Sequence, residues 1–334
     1  MPRAWYVACR SPELGRAPRA CTILGMPLVL FRDADGRAAA LVDRCPHRNV
    51  PLSLGRTVDG TLECAYHGWR FDGEGRCALV PGLDAAPDAA ATRAAAHAVR
   101  ERDGLVWVWG AAGETPADAP FALPDVPGAT VVWRTLEMPA TLHAVVENAL
   151  DVPHTAFLHR GLFRGTGAPR AITATVRRTA TGVECEYGGE PRPEGIVGRL
   201  LAPGGGIVEH WDRFVLPSIA QVEYRLGDAN RLVVTSLCTP VGDDLTRMTA
   251  VVQVRLRVPA ALLRPLLAPL VSRILRQDAA VLRAQTATVA RFGGEQFAST
   301  PLDLVGPHVW RLLRSAEQGA TVPPLEEPPV TFRA

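Results

Sequence analysis

Two short cysteine–histidine pairs constrain this chain more than any other feature. Cys45-Pro46-His47-Arg48 supplies a Cys-x-His pair and Cys64-Ala65-Tyr66-His67-Gly68-Trp69 a Cys-x-x-His pair, separated by a strand-length insert. Two soft thiolates and two imidazoles can converge from two facing loops, so this stretch is expected to fold around a metal centre. Ligand type alone suits zinc as well as iron, and a structural zinc site remains the sober competitor. Two features favour an iron–sulfur cluster: each pair mixes one Cys with one His, and Pro46 and Gly68 permit tight turns in both loops. Two neutral imidazoles in place of two thiolates on one iron raise the reduction potential, because less negative charge surrounds the oxidised cluster.

Length and composition bound the rest. A chain of 334 residues can hold two domains, each with its own core. Its 36 basic and 34 acidic side chains nearly cancel, and no run of five like charges occurs, which leaves no electrostatic footprint for DNA, RNA or an anionic membrane. Seven scattered cysteines, an odd number, do not resemble a secreted disulfide framework and fit a reducing compartment. The segment Met1-Pro2-Arg3-Ala4-Trp5-Tyr6 lacks the marks of a signal peptide, and no uninterrupted apolar run approaches 18 residues. A soluble cytoplasmic protein without stable membrane insertion is expected.

Along the chain, residues 5 to 109 read as short strands divided by turns. Leu28-Val29-Leu30-Phe31, Asp35-Gly36 and Ala39-Ala40-Leu41-Val42 form a hairpin signature, and Gly104 to Gly110 closes this half. A Pro-, Ala- and Gly-rich connector then runs to Gly128, placing a domain boundary near residue 112. Beyond it, Thr141 to His159 has helical spacing, and residues from about 172 to 258 are rich in β-branched residues. A helix is expected from about Ala260 to Phe292, with Pro265 and Pro269 kinking or breaking its first part, and the Pro-rich tail after Val322 is expected to run extended over the surface. The fold class is therefore α+β: an all-β domain over 1–112 and, over 113–334, a sheet framed by helices.

A second constellation lies in Glu147-Asn148-Ala149-Leu150-Asp151-Val152-Pro153-His154-Thr155-Ala156-Phe157-Leu158-His159. Asp151 and His154 share a helical face, but His154 and His159 are five apart, about 140° in a regular helix. An irregular turn between Pro153 and His159 is therefore predicted, since Pro153 removes a backbone donor where such a distortion is needed.

Taken together, the two pairs resemble the Rieske motif, and Tyr66-His67-Gly68-Trp69-Arg70-Phe71 resembles its oxygenase version. The resemblance implies that Cys45 and Cys64 hold one iron of a 2Fe-2S cluster and His47 and His67 the other. Respiratory Rieske proteins carry two further cysteines, at positions occupied here by Val50 and Tyr66; their absence suggests a lower-potential, oxygenase or ferredoxin type. Residues 147–159 resemble the Asn-Asp-His-His stretch of the Rieske oxygenase catalytic domain, of helix-grip-like architecture. Arg276-Gln277-Asp278-Ala279-Ala280-Val281-Leu282-Arg283-Ala284-Gln285 resembles its helix bearing a carboxylate ligand. By that resemblance His154, His159 and Asp278 form the facial triad of a mononuclear Fe(II) site, which leaves positions open for O2. Asn148 and Asp151 would be catalytic, Asp151 bridging His154 and the Rieske His67 of a neighbouring subunit in a homotrimer.

The implied activity is that of the oxygenase component of a multicomponent monooxygenase, similar in its compact length to vanillate and dicamba demethylases, pheophorbide oxygenase and bacterial sterol C-4 demethylase. It would hydroxylate or oxidatively demethylate an apolar, polycyclic substrate with electrons from NAD(P)H through a separate reductase or ferredoxin, since Gly204-Gly205-Gly206 lacks a dinucleotide-fold context and no plant-type ferredoxin run is present. An aromatic-acid O-demethylase, a cis-dihydroxylating dioxygenase and an iron–sulfur electron carrier are the alternatives. Leu262, Leu263, Leu266, Leu267, Leu270 and Ile274 make an apolar surface that is either core or the entrance for a greasy molecule. His97, His143, His210 and His308, with Cys9, Cys21, Cys77, Cys185 and Cys238, lack metal spacing and default to packing or solvation.

Overall fold

A computed structural model of the chain describes residues 1–160, 171–190, 208–226, 230–256 and 260–333. It is an α+β protein whose residues fall into two compact units, Met1–Leu123 with Thr239–Gly242, and Pro124–Cys238 with Asp243–Ala334. The glycine run 204–206 lies outside the described residues.

The first unit is built on a six-stranded antiparallel sheet in the order Trp5–Arg10, Leu105–Ala112, Ala96–Arg102, Ala38–Val42, Met26–Arg32, Arg19–Ile23. Its central strands are apolar on both faces, and the period of two sorts them. Leu28 and Leu30 enter one core with Tyr6, Ile23 and Val106, whereas Val29 and Phe31 enter another with Leu52, Leu62 and Phe71. The expected hairpin pairs Leu28 with Val42 and Arg32 with Ala38. Its turn is closed by Asp33, whose side chain accepts the N–H groups of Asp35 and Arg37, and by Gly36 at φ 76°. A smaller four-stranded sheet, Arg56–Val58, Thr61–Glu63, Arg70–Phe71 and Cys77–Leu79, carries the second cysteine–histidine loop. Cys45 and Cys64 are both part of the second core, so the loops they open are anchored in packed side chains.

The second unit is a nine-stranded antiparallel sheet with helices packed against it. The order runs Thr130–Met138, Leu245–Arg255, Asn230–Gly242, Ile219–Leu226, Glu209–Val215, Gly182–Gly188, Ala171–Arg178, Leu325–Glu326, with Val330–Arg333 also on Ala171–Arg178. Alternation is clean in Glu209–Val215, where His210, Asp212 and Phe214 are buried and the residues between them are not. The helix Leu142–Leu150, capped by the Thr141 hydroxyl on the Ala144 N–H, contributes Val145, Val146 and Leu150 to the core, and the helix Gly306–Glu317 adds Val309, Leu312 and Leu313.

Two expectations need correction. The long helix runs unbroken from Ala260 to Arg291 with Pro265 and Pro269 inside it. Leu263, Leu267 and Val271 pack on the strands throughout that stretch, and tertiary burial of this face outweighs the local cost of each proline. The tail also does not simply lie over the surface: Leu325–Glu326 and Val330–Arg333 pair with Ala171–Arg178 and extend the sheet. Backbone pairing satisfies N–H groups there, and the intervening Pro328 and Pro329 fall where the ladder is interrupted.

Candidate metal centres

The two cysteine–histidine loops have the same backbone construction. Cys45 N–H donates to the Val50 carbonyl at 2.9 Å and its own carbonyl accepts from Asn49 at 2.9 Å. Cys64 N–H donates to the Trp69 carbonyl at 2.8 Å and its carbonyl accepts from Gly68 at 3.1 Å. The residue four places after each cysteine adopts a left-handed conformation, Asn49 at φ 61° and Gly68 at φ 69°. The cysteines are buried, His47 is half-buried and His67 is exposed. The His47 and His67 rings lie 4.6 Å apart, and His47 stacks on Trp69 at 4.7 Å with an interplanar angle of 9°.

The donor set fits a cluster. Buried His47 Nδ1 has no hydrogen-bond partner, as expected of a nitrogen shaped for a metal. Desolvation and the Arg48 and His67 charges hold the His47 pKa down, so the ring is neutral and free to ligate. Burial, with the neighbouring Cys64 thiol, pushes the Cys45 pKa up, and a bound iron offsets that cost by stabilising the thiolate.

In the second unit the break in the helical path falls before Pro153 and not, as expected, between Pro153 and His159, and a helical turn separates the two histidines. The helix ends at Leu150, Asp151 caps it at φ −84° and ψ 101°, and a single turn Thr155–Leu158 follows, flanked by His154 and His159. The two Nε2 atoms then face each other at 3.3 Å. Asp278, from the long helix, places Oδ1 3.0 Å from His159 Nε2 and 3.7 Å from His154 Nε2. The ligand-capable atoms of these three residues all lie within 4.8 Å of one another, the spacing a single metal ion requires. Asp278 Oδ1 is buried without a hydrogen-bond partner, which a cation between the three groups resolves.

The far side of each imidazole fixes its tautomer. His154 Nδ1 faces the Asp151 backbone carbonyl and lies 3.6 Å from Asp151 Oδ2, and His159 Nδ1 lies 3.0 Å from Gln277 Oε1. With Nδ1 donating in both rings, both Nε2 lone pairs point at the same spot. Burial lowers the His154 pKa, but the neighbouring Asp151 and Asp278 carboxylates outweigh it and raise the net value. Gln277 was not singled out by sequence reasoning; its only signal is adjacency to Asp278. Gln277→Leu is expected to weaken iron retention by roughly 10- to 100-fold, read by dialysis against a chelator, while the cluster spectrum stays unchanged. Equal retention in the two proteins would show that Gln277 is not needed to orient His159.

An apolar cavity of about 190 Å³ leads to the three ligands. Val222, Val234 and Val252 of the sheet form one wall, and Leu263, Leu267, Leu270 and Ile274 of the long helix another. The leucine-rich surface is therefore divided: these four line the cavity, while Leu262 and Leu266 are exposed. Asn148 and Asp151 line both this cavity and a second one, of about 550 Å³, which His154 also borders.

His210 is not an ordinary packed histidine. Fully buried, it sits between Glu190 Oε2 at 2.7 Å and Asp212 Oδ1 at 3.0 Å, with its ring stacked between Tyr187 and Tyr224 at 4.4 and 4.0 Å. Burial alone would lower its pKa; the Asp212 and Glu190 carboxylates outweigh this and raise it to about 9. An unfolded histidine titrates near 6.5, so the stabilisation is complete below about pH 6.5 and is lost as pH rises through about 9. The unfolding midpoint is expected to fall between about pH 7 and pH 10, and His210→Gln to flatten that fall. An unchanged slope in the variant would assign the alkaline loss to other groups.

A β-domain carrying a paired Cys/His loop set and, in the same chain, a sheet-and-helix domain with a two-His, one-carboxylate cluster define a Rieske-type non-haem iron protein. Residues 4–93 match the Rieske [2Fe-2S] domain family and residues 138–318 match the vanillate O-demethylase oxygenase C-terminal domain, more than half of the chain, so the chain belongs to the Rieske non-haem iron oxygenases. It is 42% identical over 164 residues to the oxygenase component of dicamba O-demethylase from Stenotrophomonas maltophilia, covering 47% of each chain. It is 30% identical over 220 residues to the oxygenase component of chloroacetanilide N-alkylformylase from Rhizorhabdus wittichii, covering 62% of this chain and 61% of that protein. The chain thus spans about half the length of the dicamba relative by sequence. A crystal structure of dicamba monooxygenase bound to dicamba superposes over 95% of this chain and 97% of that one, with a TM-score of 0.78 and 25% identity. A Rieske domain implies a 2Fe-2S cluster, and the family's oxygenases use a mononuclear iron. No helix among the described residues is long and apolar enough to cross a membrane.

Proposed function

We propose that this chain is the oxygenase component of a multicomponent Rieske monooxygenase that hydroxylates or oxidatively demethylates an apolar, elongated organic substrate. The observation that carries the reading is the convergence of His154, His159 and Asp278 at an apolar cavity, in a chain that also holds a Rieske domain. Cys45 and Cys64 would hold one iron of the cluster and His47 and His67 the other; His154, His159 and Asp278 would hold the mononuclear iron. When bound, the two centres supply electron storage and O2 activation, and the overall change is R–H + O2 + 2e⁻ + 2H⁺ → R–OH + H2O.

The chain's own residues supply the rest. Asp151 orients His154 through Nδ1, and its side chain, 39% exposed, is available to reach His67 of the partner subunit in a closed ring of three copies. Asn148 stands at the junction of both cavities, placed to hydrogen-bond groups near the iron. From Leu263 to Asp278 the cavity wall follows the long helix for fifteen residues, about 22 Å at the helical rise. Such a wall suits a polycyclic body better than a single small ring. Desolvation of that body excludes water from the cavity. Electrons would arrive from NAD(P)H through a separate reductase or ferredoxin, in the cytoplasm.

A carrier without oxygenase activity has no use for the buried His/His/Asp cluster. The deciding experiment combines metal analysis of anaerobically purified protein with turnover under ¹⁸O2 in the presence of a reductase. About three irons and two sulfides per chain, with one labelled oxygen in the product, support the reading. Two labelled oxygens make the enzyme a dioxygenase, zinc without sulfide overturns it, and a cluster without further iron leaves a carrier.

A further inference from the structure

The cavity contains one charged group that the iron chemistry does not use. Among its described lining residues none is Lys or Arg, and the carboxylates are Asp151 and Asp278, which serve the iron site, and Asp212. Asp212 is 1% exposed, sits in the strand Glu209–Val215 and pairs across the sheet with Val222, in the same row as Val234. All three line the cavity.

Only one of its oxygens is engaged. Oδ1 accepts from His210 Nε2, whereas Oδ2 is buried with no hydrogen-bond partner. The Tyr187 phenol lies close to Asp212, its pKa raised by burial, by the Asp212 charge and by a side-chain interaction with it, but its geometry does not complete a hydrogen bond to Oδ2. His210 stands between two carboxyl side chains, Glu190 and Asp212, and no described lining residue of the cavity brings a Lys or Arg to them. Stacking between Tyr187 and Tyr224 fixes the His210 imidazole that engages Asp212 Oδ1. A carboxylate oxygen buried without a donor is costly, and a fixed one in a binding cavity is a recognition element.

We propose that Asp212 is a specificity-determining residue, whose Oδ2 accepts a hydrogen bond from an O–H or N–H group on the substrate and rejects substrates that place a carboxylate there. The inference rests on the cavity being the substrate site and refines the apolar reading: a greasy body with one donor. It also separates this chain from enzymes that take aromatic acids, because no described lining residue offers an anion a cation, and like charges repel in a low-dielectric cavity.

The test is direct binding by calorimetry to the iron-loaded, anaerobic holoenzyme, without turnover. The probes are matched sets on naphthalene and phenanthrene scaffolds bearing hydroxyl, hydrogen or carboxylate at one position. The hydroxyl compounds are expected to bind at least about tenfold more tightly than the parent hydrocarbons, the gain from a hydrogen bond to a charged acceptor, and the carboxylates not to bind. In Asp212→Asn the amide oxygen stays with His210 and the NH2 faces the cavity, so hydroxyl preference is expected to collapse and carboxylate binding to emerge. Equal affinity for hydroxyl and hydrocarbon probes in the natural protein, or no binding of any hydroxyl probe, overturns the proposal whether or not the variant folds. Hydroxyl-selective binding without oxygenated product would leave the anchor standing and sink the oxygenase reading instead.

Discussion

Asp278→Ala is expected to strip the mononuclear iron and leave the cluster intact. Oδ1 of this residue is the one carboxylate oxygen facing both Nε2 atoms, at 3.0 and 3.7 Å, and two imidazoles alone make a poor seat for Fe(II). Iron should fall from about three to about two per chain with sulfide unchanged at about two, and the reduced cluster should keep its signal. Turnover should drop by more than roughly 100-fold, since losing a ligand exceeds the roughly 10- to 100-fold cost of losing a group behind one. The side chain is buried in a polar pocket already lined by two histidines, so the unit should still fold. Retention of the third iron would take Asp278 out of the ligand set.

Asp151→Asn should behave in the opposite way, keeping both metals and losing their communication. The Asp151 backbone carbonyl that faces His154 Nδ1 survives the substitution, so the ring stays oriented. What is lost is the side-chain carboxylate 3.6 Å from that nitrogen and the negative charge that raises the basicity of His154. Reduced holoenzyme mixed with O2 and substrate is expected to leave its cluster reduced, with coupled product formation lower on the order of 100-fold. Normal single-turnover oxidation of the cluster would show that electrons do not pass by way of Asp151.

What the sequence disclosed and what it withheld divide along a physical line. The cysteine–histidine loops were legible as a candidate cluster site because the four side chains are close in sequence and their turn residues are adjacent to them. The five-residue spacing signalled a departure from one regular helix but misplaced it: the chain leaves helical geometry at Asp151, before Pro153, and His154 and His159 stand at the two ends of the turn Thr155–Leu158. Asp278 was legible only by resemblance, since an Asp on an amphipathic helix looks like a solvated charge. Gln277, His210 and Asp212 carried no local signal: His210 and Asp212 are two apart on one strand, and their meaning comes from Glu190 and from neighbouring strands. The prolines at 265 and 269 misled in the other direction, because local propensity yielded to the packing of the face that bears Leu263 and Leu267.

That helix has a further consequence. The same element carries the proposed ligand Asp278 at one point and the cavity-lining Leu263, Leu267, Leu270 and Ile274 at successive turns before it. With the iron held as proposed, position along it would read as distance from the metal, at about 5.4 Å per turn, and the helix would act as a ruler. Enlarging Ile274 would displace the substrate near the reacting carbon and change which bond is oxidised, whereas enlarging Leu263 would shorten the longest molecule admitted. On the proposed reading, regioselectivity and substrate length would be separately adjustable on one helix.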